Sequence, residues 1–461
     1  MASSKDVNVP ESKIPIQDSA APNGTEVASS GGSRWQAGVR ALRHRTFQLF
    51  FSGQLISLIG TWMQSVAQSW LVYRLTGSAL LLGSVGFASQ IPVFLFAPLG
   101  GIAADRFNRR SIVIFTQIAS MVLACILAVL TLTHEIDHRV WIIFVLAALL
   151  GVVNAFDIPG RQSFLVEMVG REDLMNAIAL NSSMFNGARV VGPAIAGILV
   201  AKFGEGYCFF GNAVSYIAVI IGLLLMKVQD RVVASMASPL EHMMEGFRFV
   251  NRTEPIRALL LLLGLVSLVG MPYVVLMPIF ADKVLHGGAR GLGILMGATG
   301  VGALLGALTL AFREGVKGLG RWVAWCCAGF GASLVVFALS HRFWVSVILL
   351  LPVGYCMMLQ MACSNTLIQV MVPDALRGRV MAVYSMMFMG MAPVGALLGG
   401  ALAERLGAQV TVAIGGVASV AGACWFGLHL PKIRVEARRL IVAQAAAGGE
   451  PSEMTAQAVE D

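Results

Sequence analysis

Charge is what this chain has least of. Only 13% of its 461 residues are Asp, Glu, Lys or Arg, while 57% are hydrophobic and the mean hydropathy is +0.77. A water-soluble globule carries about 25% charged residues, so an aqueous surface is excluded and the membrane is the solvent. Catalytic groupings are missing too: no intramembrane His/Glu metal motif and no Ser/His arrangement occurs, which leaves no enzyme, catalytic residue or metal site to propose. The seven cysteines, Cys125, Cys208, Cys326, Cys327, Cys356, Cys363 and Cys424, are odd in number and follow no ligand spacing, so they read as packing groups. The formal charge is +8, yet the basic residues are dispersed at the ends of apolar runs, which argues against a nucleic-acid partner. Residues 1–45 lack apolar periodicity and also lack the basic stretch and apolar core of a signal peptide. They are expected to form a disordered cytoplasmic tail.

What is present is a series of long apolar runs. A bilayer core of about 30 Å takes roughly 20 apolar residues per helix. Twelve such segments fall near 47–73, 79–103, 111–133, 140–160, 178–203, 207–226, 256–280, 291–312, 322–340, 343–368, 380–403 and 408–430. An N-terminus in the cytoplasm places Arg106, Arg109, Arg110, Arg161, Arg377, Arg379, Arg438 and Arg439 inside, with many others. It leaves only Arg74, Arg139, Lys202, Lys283, Arg290, Arg342 and Arg405 outside, so both termini are expected to be cytoplasmic. The halves echo one another. Leu55-Ile56-Ser57-Leu58-Ile59-Gly60 in span 1 returns as Leu265-Val266-Ser267-Leu268-Val269-Gly270 in span 7, and Gly192-Pro193 with Gly197 in span 5 returns as Pro393 with Gly399-Gly400 in span 11. The expected fold is therefore an all-α membrane protein, twelve transmembrane helices in two pseudo-symmetric six-helix bundles at 46–226 and 256–430. A cytoplasmic linker with an amphipathic helix at 241–250 occupies 227–255, and a second tail occupies 431–461.

Polar residues inside apolar runs mark function, because lipid cannot solvate them. Gln54, Ser57, Thr61, Gln64 and Gln68 share one face of span 1 and are candidates to line a substrate cavity, with Ser267 and Tyr273 in span 7 and Tyr355 and Gln360 in span 10. Small residues Gly192 and Gly197 let span 5 approach a neighbour, and Pro193 frees a carbonyl. Arg189, one turn earlier, either attracts an anionic substrate group or satisfies such carbonyls. Asp157, near the inner end of span 4, is either a proton carrier or an ion-pair partner for the basic loop before span 3. The methionines crowding spans 10 and 11 read as packing.

Gly101-Ile102-Ala103-Ala104-Asp105-Arg106-Phe107-Asn108-Arg109-Arg110 resembles the loop signature of the major facilitator superfamily, with Asn108 where the family usually has Gly. The resemblance implies a conformational latch built from Gly101, Asp105, Arg106, Arg109, Arg110 and Asp157, with Asp105 docking at the start of span 11 near Arg379 and Val380. Arg189, Gly192, Pro193 and Gly197 resemble the family's antiporter motif. Stretches such as Phe156-Asp157-Ile158-Pro159-Gly160-Arg161 and Pro373-Asp374-Ala375-Leu376-Arg377-Gly378-Arg379 are similar to the bacterial efflux branch that includes the enterobactin exporter and macrolide efflux pumps. That implies a monomeric inner-membrane protein without cofactors, exporting a small, partly hydrophobic molecule, a siderophore or a drug, at the expense of the proton-motive force. A non-transporting sensor or scaffold, and an importer, are the alternatives the sequence leaves open.

Overall fold

The structure, a computed structural model, describes residues 40–446 apart from 171, 227–238, 314, 316 and 317. The first 39 and last 15 residues of the expected tails, and the first part of the expected linker, lie outside the described residues. The segments expected as spans 1–6 form helices α1 (Arg45–Thr76), α2 (Ala79–Arg106), α3 (Arg109–Leu132), α4 (Trp141–Val169), α5 (Leu174–Phe203) and α6 (Glu205–Leu225). Within the expected linker lies α7 (Pro239–Arg252), and the segments expected as spans 7–12 form α8 (Glu254–Val284), α9 (Gly288–Ala311), α10 (Leu319–Leu339), α11 (Phe343–Met371), α12 (Leu376–Leu406) and α13, which begins at Ala408. Among the described residues, eleven of these helices are long and apolar enough to cross a membrane. At 32 residues α1 has the length, but its polar stripe dilutes its hydropathy.

Local chemistry sets the breaks. Gly77 ends α1 with φ +62°, and Gly204 separates α5 from α6 with φ +88°, conformations that a β-carbon penalises. The Ser78 hydroxyl then caps α2 by accepting from the Leu81 amide at 3.3 Å. Asn108 caps α3 in the same way, its side chain accepting from the Ser111 amide at 3.0 Å. Its φ is −58°, so the tolerance of Asn for a left-handed backbone is not why it stands there; it satisfies an end amide that Gly would leave bare. The helices α8 and α12 are irregular, with π turns at Val266–Gly270, Phe280–Val284 and Met386–Gly390 beside Pro272, Pro278 and Pro393. A proline removes one backbone donor and crowds the preceding turn, and a widened turn relieves both.

Glycine seams hold the helices together. A β-carbon on Gly100 would come within 2.0 Å of the Ala155 carbonyl, so α2 and α4 touch backbone to backbone; Gly302 and Gly354 do the same between α9 and α11. The pairings within α1–α6 recur within α8–α13: α1 with α6 and α8 with α13, α3 with α6 and α10 with α13. Between the two sets, α5 packs on α9 and α2 on α12. The expected tail from 431 begins as helix, because α13 continues to Ala446. The run Lys432-Ile433-Arg434-Val435-Glu436-Ala437 contains no helix breaker, and Ile433 is buried.

Candidate functional site: a seam between two sets of helices

The seam is closed at one end. Tyr73, near the end of α1, donates to Asp282 of α8 at 2.7 Å. The Glu404 carboxylate, near the end of α12, accepts from the Ala79 and Leu80 amides at 2.7 and 3.1 Å and from the Ser78 hydroxyl at 3.0 Å. A carboxylate there meets both the unpaired amides and the positive end of the α2 dipole. Gly83 and Gly400 lie in contact just inside, as do Gly197 and Gly293. These hydrogen bonds join one set of helices to the other at this end. Sequence reasoning missed Glu404 and Asp282, since acids at helix ends look solvated until their partners are known.

Deeper in the seam, four helices meet around Arg189. Gly192 has Trp62 of α1 so close that a β-carbon would lie 2.5 Å from its Cβ, and a β-carbon on Gly300 of α9 would sit 3.0 Å from the Arg189 carbonyl. The Arg189 guanidinium lies 5.7 Å from the Trp62 ring centroid. Across the seam Tyr273 of α8, 1% exposed, sits within the electrostatic reach of Arg189, and its hydroxyl makes no close hydrogen bond among the described residues, Thr299 of α9 being its polar neighbour. Pro193 and Gly197 continue the same face, where the Pro193 carbonyl lies against Gly293.

The remaining cavity candidates divide. Gln64 is buried and accepts from Asn212 of α6 at 2.7 Å, so it serves packing within the first six helices. Ser57 is buried too, and its carbonyl accepts from Thr61, which is itself exposed; Gln68 is half-buried. The Gln54 side-chain carbonyl and both polar atoms of Gln360 are buried without partners. Ser267 donates to the Phe388 carbonyl at 3.2 Å, tying α8 to the π turn of α12. Tyr355 is half-buried where α11 crosses Gly302 and Gly306.

At the opposite end of the molecule the loop between α2 and α3 is held by partners the sequence did not suggest. Arg109 forms an ion pair with Glu167 of α4 and donates to the Ala104 carbonyl at 3.2 Å. Arg110 donates to the Leu223 and Leu224 carbonyls at 2.8 and 3.0 Å, closing the end of α6. Asp157, 3% exposed, is taken up by Thr116 at 2.7 Å, Gln117 at 2.9 Å and Arg161 at 3.2 Å, not by the loop. Arg161 lies four residues on along the same helix and reaches it without crossing the bundle. Asp105 is half-buried and Arg106 exposed, and neither makes a hydrogen bond or ion pair among the described residues. At the start of α12 Arg379 pairs with Glu245 of α7, and Gly246 lies against the Arg379 backbone. Gly101 has open space around it; the glycine in close contact is its neighbour Gly100.

Two sets of membrane helices with recurring pairings, joined along a polar seam and clamped at one end, carry a family match that makes the chain a multi-pass transporter of the major facilitator type. Among solved structures, the nucleoside transporter NupG superposes with a TM-score of 0.67 at 14% identity, covering 84% of this chain and 99% of that one. A bacterial homologue of the iron transporter ferroportin in the inward-facing state superposes at 0.63 with 17% identity, over 85% and 98%. The chain belongs to the transmembrane secretion effector family, whose profile matches residues 36–446. It is 27% identical to the staphyloferrin A transporter of Staphylococcus aureus over 380 residues, 80% of this chain and 93% of that protein. Similarity extends to the multidrug efflux pump Tap of Mycolicibacterium fortuitum, 28% identical over 76% and 88% of the two chains. The enterobactin exporter EntS of Shigella boydii is 24% identical over 86% and 93%. These are transporters and not enzymes.

Proposed function

We propose that the protein is a monomeric, proton-driven exporter of small, partly hydrophobic molecules, a siderophore or a drug, working by alternating access in the bacterial inner membrane. Twelve spans form two six-helix bundles with both termini in the cytoplasm, α1 being the twelfth span, whose polar stripe is shielded by α5 and α6. The observation that carries the reading is the one-sided clamp. Glu404 and Asp282 join the bundles at the end that the distribution of basic residues assigns to the outside, while Asp105 at the other end has no partner among the described residues. This is the arrangement of an inward-facing transporter. In the opposite state the Asp105 loop docks at the start of α12 and the outer clamp opens. Export, and not uptake, is supported by full-length similarity to an enterobactin exporter and a multidrug efflux pump. Proteoliposomes with an imposed pH gradient, offered siderophores, lipophilic cations and macrolides in turn, test direction, coupling and cargo together. Asp105→Asn is expected to abolish or strongly reduce efflux while the protein still inserts; unchanged efflux removes the latch from the mechanism.

A further inference from the structure

Among the described residues Arg189 is a cation without a counter-ion. It is partly buried where α1, α5, α8 and α9 meet, and it makes no ion pair and no hydrogen bond among the described residues. The carbonyls freed by Pro193 are therefore not what holds it. Its neighbours are the face of Trp62 and the Tyr273 phenol, and no carboxylate is within electrostatic reach among the described groups. A guanidinium taken out of water loses far more than an aromatic face returns, and a buried hydroxyl that makes no close hydrogen bond among the described residues, with Thr299 its polar neighbour, adds to that loss. Both groups are donors, they come from opposite halves of the molecule, and they converge on one place. Packing does not require this: α5 already meets its neighbours through Gly192 and Gly197, with no help from a charged side chain.

We propose that Arg189 and the Tyr273 hydroxyl are the anion-recognising pair of the transport site, so that the cargo is an organic anion whose carboxylate, or similar oxyanion, bridges the two halves while its aromatic or apolar body rests on Trp62. The inference deepens the transporter reading and rests on it. An oxyanion accepts from the guanidinium and the phenol together, as a bidentate acceptor suits the fork of Arg. Because one donor belongs to each half, the bound anion also links the elements that must move relative to each other.

The test uses the full chain in detergent and three probes of one shape: 1-naphthoate, its methyl ester and 1-naphthylmethylammonium. Calorimetric titration is expected to show the carboxylate binding about tenfold or more tightly than the other two. Arg189→Gln should bring the three affinities together, Arg189→Lys should retain part of the preference, and Tyr273→Phe should weaken the carboxylate alone. A structural role for Arg189 predicts a lower melting temperature of the ligand-free protein in Arg189→Gln, whereas removing an unpaired cation leaves it unchanged or raises it. Equal binding of the three probes, no binding of the carboxylate, or a preference that survives Arg189→Gln overturns the proposal. Counterflow of the same probes in proteoliposomes separates the two readings. Movement of the ammonium alone leaves a transporter whose cargo is not anionic, and a carboxylate that binds but never moves leaves the anion site without transport.

Discussion

Glu205 opens α6 with its carboxylate buried, and its partner, Arg74, comes from the end of α1 at 2.7 Å. Arg74 is itself almost half exposed, so water offsets part of the pair's strength, but among the described residues the buried acid has no other ion-pair partner. Arg74→Ala is expected to destabilise the protein by about 1–3 kcal/mol, the loss on stranding a buried charged acceptor, seen as a lower unfolding midpoint in detergent. An unchanged midpoint would sink that account. Glycine positions give a paired prediction: Gly100→Ala should destabilise by about 1–3 kcal/mol through overpacking against the Ala155 carbonyl. Gly101→Ala should leave the unfolding midpoint unchanged or raise it, because nothing lies near the added methyl and Ala favours the helix. A single sequence does not distinguish two adjacent glycines on a helix, since only the neighbouring helix decides which of them is crowded.

At the scale of elements, the start of α2 is where one helix end receives its charge from another helix. Glu404→Gln keeps the shape and removes the negative charge, so it should weaken the clamp by about 1 kcal/mol, roughly fivefold in population. Spin labels at the exposed positions Leu80 and Leu406 would report this as a growing long-distance fraction; an unchanged distance distribution would remove Glu404 from the gate. At the other end, Asp173 ties the start of α1 to the start of α5. The His44 hydrogen bond, with the charge of Arg40, holds its carboxyl below the usual 3.8. A carboxyl with a lowered folded-state pKa contributes stability above its unfolded value and loses it as pH falls through the lowered one. The gap in unfolding midpoint between the native protein and Asp173→Asn should therefore stay level through the acid range down to 3.8 and close only below it. A gap that closes above 3.8 would contradict the pairing. The irregular turns of α8 and α12 had a partial signal in the sequence, because Pro272, Pro278 and Pro393 announce lost backbone bonds, but proline alone does not say whether a helix kinks, ends or widens.

For the whole molecule, the proposed alternating access requires that the clamp of Glu404 and Asp282 open in every cycle. A disulfide between Ser78→Cys and Glu404→Cys, in a background where the exposed Cys125 and Cys424 are Ser, should stop counterflow, and a reductant should restore it. Transport that continues in the oxidised protein would show that the bundles do not part there. The recurrence of the pairing pattern bears on the same motion. Gly192 and Gly197 set α5 against α1 and α9, and Gly395 and Gly400, spaced alike, set α12 against α8 and α2. The two helices that cross the seam on either side are thus built alike, which suits a rocking movement about them.

Membrane residence and the all-helical class were legible in the sequence, because burial in lipid forces long apolar runs and every break in them needs Gly, Pro or charge. The polar stripe of α1 was legible as a stripe, but not as a division between a packing residue such as Gln64 and partnerless Gln54. Asp157 and Arg189 stood out as intramembrane charges. Which of them is satisfied depends largely on what other helices bring to it: Thr116 and Gln117 of α3 join the local Arg161 around the first, and among the described residues the second meets the Trp62 face and a phenol. Helix periodicity places a side chain on a face, and only the packing of helices distant in the chain decides what that face meets.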